Sequence, residues 1–194
     1  MKFDIILAGV GGQGVLSLAG IIAGAALDDR LFVKQSEIHG MSQRGGAVFA
    51  HLRLADTPID SDLVALGSAS MVLCMEPLES LRYLEYLSPS GTVVTATEPV
   101  ANMRNYPPLE EVLAAIRSLP HAILVDAGGL AKRAGLAQAT NCVLAGAAAP
   151  LLPIATATLE RGIRARFASK GPTVVEQNLA AFRAGQEVAT CAIQ

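Results

Sequence analysis

A chain of 194 residues with 52% apolar side chains has the length of one α/β domain and enough apolar surface for a sizeable core. A net charge of −2 without a basic block gives no electrostatic case for nucleic acid, and no apolar run reaches the ~18 residues of a membrane span. The three cysteines, Cys74, Cys142 and Cys191, stand far apart with no CxxC; they read as reduced thiols of a cytoplasmic protein and cannot by themselves ligate an iron–sulfur cluster.

Lys2 and Asp4 lead directly into an apolar run, so no signal peptide is expected. The first predicted strand spans Phe3 to Ala8. Gly9, Val10, Gly11, Gly12, Gln13 and Gly14 follow, and then a nearly all-apolar helix from Val15 to Leu27. The spacing Gly9-x-Gly11-x-x-Gly14 between strand and helix is the dinucleotide-type fingerprint. In that motif the first glycine allows a sharp turn, the second a close ligand approach, and the third close packing of helix on strand. The turn is either an anion site at a helix N-terminus or a purely structural one.

Leu31 to Lys34 read as the second strand, ending near Gln35. A NAD-binding half places an acidic residue at that end to grip the ribose. Glu37 is the nearest and comes slightly late, at the start of a polar loop, which counts against NAD. The next stretch, Ser36-Glu37-Ile38-His39-Gly40-Met41-Ser42-Gln43-Arg44-Gly45-Gly46, packs a carboxylate, an imidazole, an amide and a guanidinium among glycines. It is either a hydrogen-bonded knot or a contact for a ligand or partner.

Ala47 to Leu54 alternates as a half-exposed strand, and Thr57 to Asp60 is a turn. Asp62 to Leu66 reads as a short strand or helix, and Ser70 to Met75 as a buried strand. A helix starts at Glu76-Pro77, with Leu78, Leu81, Tyr83, Leu84 and Leu87 at helical spacing. Ser88 to Gly91 is a predicted turn before a strand from Thr92 to Ala96. Leu109 to Leu119 is a helix, His121 to Val125 a strand, and Ala127 to Ala134 a short helix. Thr140-Asn141 can cap an apolar helix from Cys142 to Leu151. Two helices close the chain, from Thr158 to Phe167 and from Pro172 to Val188, before a loose tail from Ala189 to Gln194. Strands alternating with helices predict an α/β fold: a Rossmann-like, doubly wound, mostly parallel sheet with a helical C-terminal third, in one domain over 1–194.

Among candidate groups, His39, His51 and His121 fall on different elements, so no metal site is expected. Cys74, inside an apolar strand, reads as an inert buried thiol. Asp126 either faces the cleft at the strand ends or caps the next helix. Arg161, Arg164 and Arg166 form a solvated or partner-facing helix face. No residue is assigned a catalytic role.

The two glycine-rich motifs together resemble the γ-type subunit of 2-oxoacid:ferredoxin oxidoreductases, and the HGMSQRGG form looks most like the small subunit of the indolepyruvate-specific branch. The resemblance extends to the Glu76-Pro77 helix start and to Asn178-Leu179 and Phe182-Arg183-Ala184-Gly185. It implies oxidative decarboxylation of a 2-oxoacid, by default an arylpyruvate, to an acyl-CoA with electrons passed to ferredoxin. Thiamine diphosphate, iron–sulfur clusters and CoA would belong to the complex, carried mainly by a larger catalytic subunit. This chain would bind none of them alone and would be inactive alone. Its implied ligand- or partner-contacting residues are Gly9, Gly11, Gly12, Gln13, Gly14, Glu37, His39, Gln43, Arg44, Gly45 and Gly46. A homodimer of the isolated chain stays open. So does a different class of function, a freestanding nucleotide-binding protein or NAD(P)-linked oxidoreductase.

Overall fold

The computed structural model describes residues 1–39, 45–101 and 105–193, and for His39 the backbone only. Its strands are β1 (Lys2–Val10), β2 (Phe32–His39), β3 (Ala47–Ala55), β4 (Ala69–Cys74), β5 (Leu87–Ala96) and β6 (Ala122–Val125), in the spatial order β2-β3-β1-β4-β5-β6. β1 is parallel to β4, β4 to β5 and β5 to β6. β3 is antiparallel to both β1 and β2, so it alone opposes the common strand direction. The expected mostly parallel sheet is therefore present, with one reversed strand inserted beside β1.

The helices are α1 (Val15–Asp28), α2 (Pro77–Arg82), α3 (Leu109–Arg117), α4 (Ala127–Arg133), α5 (Thr140–Ala148), α6 (Thr156–Phe167) and α7 (Pro172–Ile193). Alternation along β1 feeds two cores. Ile5 and Leu7 enter the larger one with Leu18 and Ile22 of α1, Leu144 of α5 and Phe182 of α7. Ile6 enters the smaller one with Val72, Val93 and Val112 and Ile116 of α3. Helix α1 is short of charged side chains because the sheet covers one side of it and α5 and α6 contact it as well.

Helices α5 and α7 cross at bare backbone. A Cβ on Gly146 would lie 1.8 Å from the Phe182 carbonyl oxygen, and one on Gly185 would lie 1.9 Å from that of Val143. Residues Asn141 to Ala148 of α5 are all buried, which is why its sequence is small and apolar all round.

Several expectations are corrected. β2 continues to His39 because β3 pairs with it along its whole length, so Glu37 lies in a strand and not at a loop start. Residues 62–66 form neither strand nor helix. The helix expected through Leu87 stops at Arg82; a 3-10 turn at Leu84–Tyr86 follows and Leu87 opens β5. Ser88 to Gly91 lie inside β5, where the register jumps from Ala69 opposite Leu87 to Met71 opposite Thr92. The turn-forming residues thus make a bulge, and a Cβ on Gly91 would sit 2.7 Å from the Ala69 carbonyl oxygen. Thr140 and Asn141 are inside α5, whose N-cap is Ala139 without a side-chain cap. The tail is helical to Ile193 because Ala189 is fully buried; Gln194 lies outside the described residues.

Candidate functional site

The carboxyl end of β1 runs straight into the glycine turn. Gly9 is the crowded position: a Cβ there would come within 2.9 Å of Gln13 Oε1, Met75 Cβ and Val15 Cγ2. Gly12 and Gly14 have φ of +101° and +91°, the left-handed region that favours glycine. A Cβ on Gly14 would find nothing nearer than 3.8 Å. This corrects the expected role of the third glycine, which turns the chain into α1 and makes no tight helix–strand contact.

Gln13 brackets two strands. Its Oε1 accepts from the Val10 amide at 2.7 Å, and its Nε2 donates to the Met75 carbonyl at 3.0 Å. The Met75 amide donates to the Ala8 carbonyl at 2.9 Å.

The strand directions bring the second motif to this turn. β2 runs in the same direction as β1, so its last residue, His39, arrives at the carboxyl end of the sheet, and β3 returns beside β1. The Gly11 amide donates to the Gly46 carbonyl at 2.8 Å, and the Gly45 amide donates to the Gly11 carbonyl at 3.4 Å. Gly9, Gly11, Gly12, Gln13, Gly14, Gly45 and Gly46 are therefore gathered in one place. Glu37 sits in register with Ala50 and accepts from Gln35 Nε2 at 2.5 Å. β3 lies between Glu37 and the glycine turn, so Glu37 is not where a ribose-gripping acid stands beside β1. Gln43, Arg44 and the side chain of His39 lie outside the described residues.

Beyond Gln13, the ends of β4, β5 and β6 enclose a crevice of about 100 Å³ lined by Gln13, Met75, Ala96, Glu98, Val100 and Gly128 among others. Glu98 Oε1 accepts from the Gly128 amide at 2.6 Å, and burial raises its pKa. Asp126 caps α4 by accepting from the Gly129 amide at 2.8 Å; that bond, and a further one from Glu98, lower its pKa. The expected capping role of Asp126 is present, and the sequence reading missed Glu98 as its partner. An acid two residues past the end of β5 and next to Pro99 was the available signal.

Glu76 and Glu79 were also missed as buried acids. Glu76 Oε2 caps α2 through the Glu79 amide at 2.8 Å. Its Oε1 accepts from the Tyr106 hydroxyl at 2.5 Å and the Val100 amide at 3.3 Å. Glu79 is buried; Arg82 reaches one oxygen at 3.1 Å and the other has no hydrogen-bond partner among the described residues. Burial raises the Glu79 pKa, with the Arg82 charge opposing and Glu76 adding to the rise. The folded state therefore holds this proton to higher pH than the unfolded chain, and the associated stability is lost as pH rises through the folded pKa. Glu79→Gln is expected to gain stability over the parent as pH goes from about 4 to about 8. Urea melts at both ends measure this, and an equal difference at the two would show that folding leaves the Glu79 pKa unshifted.

Cys74 is fully buried, and burial pushes its pKa up, the state of an inert thiol. The three arginines of α6 are engaged within the chain: Arg161 with Thr158, Arg164 with Glu176 and Arg166 with Ser17. Among the described residues no three His, Cys, Asp or Glu side chains stand close enough to hold a metal ion, and no helix is long and apolar enough to cross a membrane.

A family model described as pyruvate ferredoxin/flavodoxin oxidoreductase matches residues 4–188. The chain belongs to this family. Among its relatives, indolepyruvate oxidoreductase subunit IorB of Archaeoglobus fulgidus is 36% identical, over 95% of this chain and 94% of the relative. The IorB subunit of Pyrococcus horikoshii is 35% identical over 97% and 96%. Among solved structures, the γ subunit of keto/oxoacid ferredoxin oxidoreductase from Geobacter sulfurreducens superposes with a TM-score of 0.71 at 26% identity, covering 99% of this chain and 98% of that one. This pyruvate ferredoxin/flavodoxin oxidoreductase chain is thus matched along its length by γ-type subunits, and the α/β architecture is theirs.

Proposed function

We propose that this chain is the small, non-redox subunit of a thiamine-diphosphate-dependent 2-oxoacid:ferredoxin oxidoreductase acting on indolepyruvate or another arylpyruvate. The observation that carries the reading is the end-to-end similarity to two indolepyruvate oxidoreductase subunits. The geometry supports it: the two glycine motifs meet through main-chain hydrogen bonds and form one surface at the carboxyl end of the sheet. Here Gly9 to Gly14 and Gly45-Gly46, with Glu37, His39, Gln43 and Arg44, complete the active-site cleft of a larger catalytic subunit. That subunit carries thiamine diphosphate and iron–sulfur clusters, and CoA enters the assembled cytoplasmic complex. Thiamine diphosphate supplies the electron sink for decarboxylation. The part of this chain is to present main-chain donors and the Arg44 guanidinium, whose planar fork suits a phosphate or carboxylate. A freestanding dinucleotide-binding protein is disfavoured by β3 standing between Glu37 and the glycine turn, and by the Glu98 carboxylate lining the crevice.

The test is reconstitution. The lone chain is expected to be colourless and to give no indolepyruvate-dependent dye reduction. Co-expression with a large catalytic subunit is expected to give iron–sulfur colour and indolepyruvate-dependent dye reduction. Arg44→Ala is expected to leave the melting temperature of the lone chain within about 2 °C of the parent. It should lower turnover of the reconstituted complex by about tenfold or more, the loss of one charge-assisted pair. A variant that melts early yet restores full activity would make the motif structural only.

A further inference from the structure

The outer edge of β2 has no partner strand among the described residues, since β2 ends the sheet. Edge strands are usually short, bulged or guarded by charge. β2 is eight residues long, and its register against β3 is unbroken. The lysine it carries, Lys34, is turned onto the neighbouring loop, where Nζ donates to the Asp60 carbonyl at 2.8 Å. Two large apolar residues on this strand are exposed, Phe32 at 46% and Ile38 at 44%. Six residues apart, they share one face of the strand.

We propose that β2 pairs antiparallel with β2 of a second copy of this chain, joining two sheets into one across a two-fold axis. The symmetry limits the register. Residues opposite one another on antiparallel strands point to the same face, so the axis must pass through a residue and not between two. On Lys34 it would set Phe32 against Ser36, and on Glu37 two carboxylates face to face. On Ser36 it would set Lys34 against Ile38. On Gln35 it opposes two neutral amides and sets Phe32 of each copy against Ile38 of the other. Only that last register covers both exposed apolar side chains, and it does so by pairing them. This self-match favours a second copy over an unrelated partner. Pairing through one strand edge buries little area, so the dimer forms at concentrations on the order of tens of micromolar.

Sedimentation of the full-length chain is expected to show a concentration-dependent monomer–dimer equilibrium. Phe32→Lys/Ile38→Lys is expected to shift dissociation by about tenfold or more, with an unchanged circular dichroism spectrum. The register is read by disulfide trapping in a Cys191→Ser background. Mixing Lys34→Cys with Ser36→Cys should give a mixed disulfide, because those positions oppose each other, while each variant alone should give far less. A chain monomeric at hundreds of micromolar, a charged double variant that dimerises like the parent, or a dimer that fails to form the mixed disulfide would each overturn the proposal.

Discussion

Gly146→Val is expected to abolish folding. The added Cβ would stand 1.8 Å from the Phe182 carbonyl oxygen, which belongs to helix backbone and cannot swing away as a side chain can. Helices α5 and α7 would have to separate, exposing the larger core around Leu144, Leu179 and Phe182. A cost above about 4 kcal/mol follows from overpacking together with lost burial, and marginal domains seldom survive that. Gly185→Ala meets the Val143 carbonyl at 1.9 Å and should act the same way from the other side. Soluble yield and thermal melts measure both. A Gly185→Ala protein melting within about 2 °C of the parent would show that the crossing can open cheaply.

The second large effect concerns the glycine turn, where two glycines should fail for different reasons. Gly9→Val forces a branched side chain against Met75 Cβ and Val15 Cγ2, and against the Gln13 oxygen that holds the Val10 amide. Loss of the Gln13 bracket then loosens β1 from β4 at their carboxyl ends. The expected cost is about 2–4 kcal/mol. Gly14→Val has room for its side chain but must hold φ near +91°, which costs a β-branched residue about 1–3 kcal/mol. Paired denaturant melts should therefore rank Gly9→Val below Gly14→Val. The reverse order would mean that backbone strain outweighs crowding at this turn.

Much of the fold could be read locally. β1, α1, β4 and β6 carry apolar runs bounded by glycine, proline or acids, and they fall within one or two residues of expectation. The failures have one physical cause: contacts with distant parts of the chain overrode local preference. β2 is longer than its apolar stretch because β3 supplies hydrogen bonds to polar Ser36 and Glu37. Ser88 to Gly91 would turn in isolation, yet the neighbouring β4 draws them into β5 as a bulge. The tail is helical because Ala189 has somewhere to be buried. At the site, spacing revealed both glycine motifs, but nothing local indicates that a reversed strand would hydrogen-bond Gly46 to Gly11. The buried acids Glu76, Glu79 and Glu98 escaped notice because a carboxylate in sequence looks alike whether it is solvated or buried.

The α5–α7 crossing also bears on the order in which the chain emerges during synthesis. Helix α7, the last described element, is 22 residues long, and its backbone at Phe182 and Gln186 lies over Gly146. At ordinary elongation rates those residues take roughly 1–4 s to add, during which the sheet and α5 exist without their cover. A nascent chain stalled before Pro172 would therefore expose a greasy, small-residue helix, a target for chaperones until α7 docks.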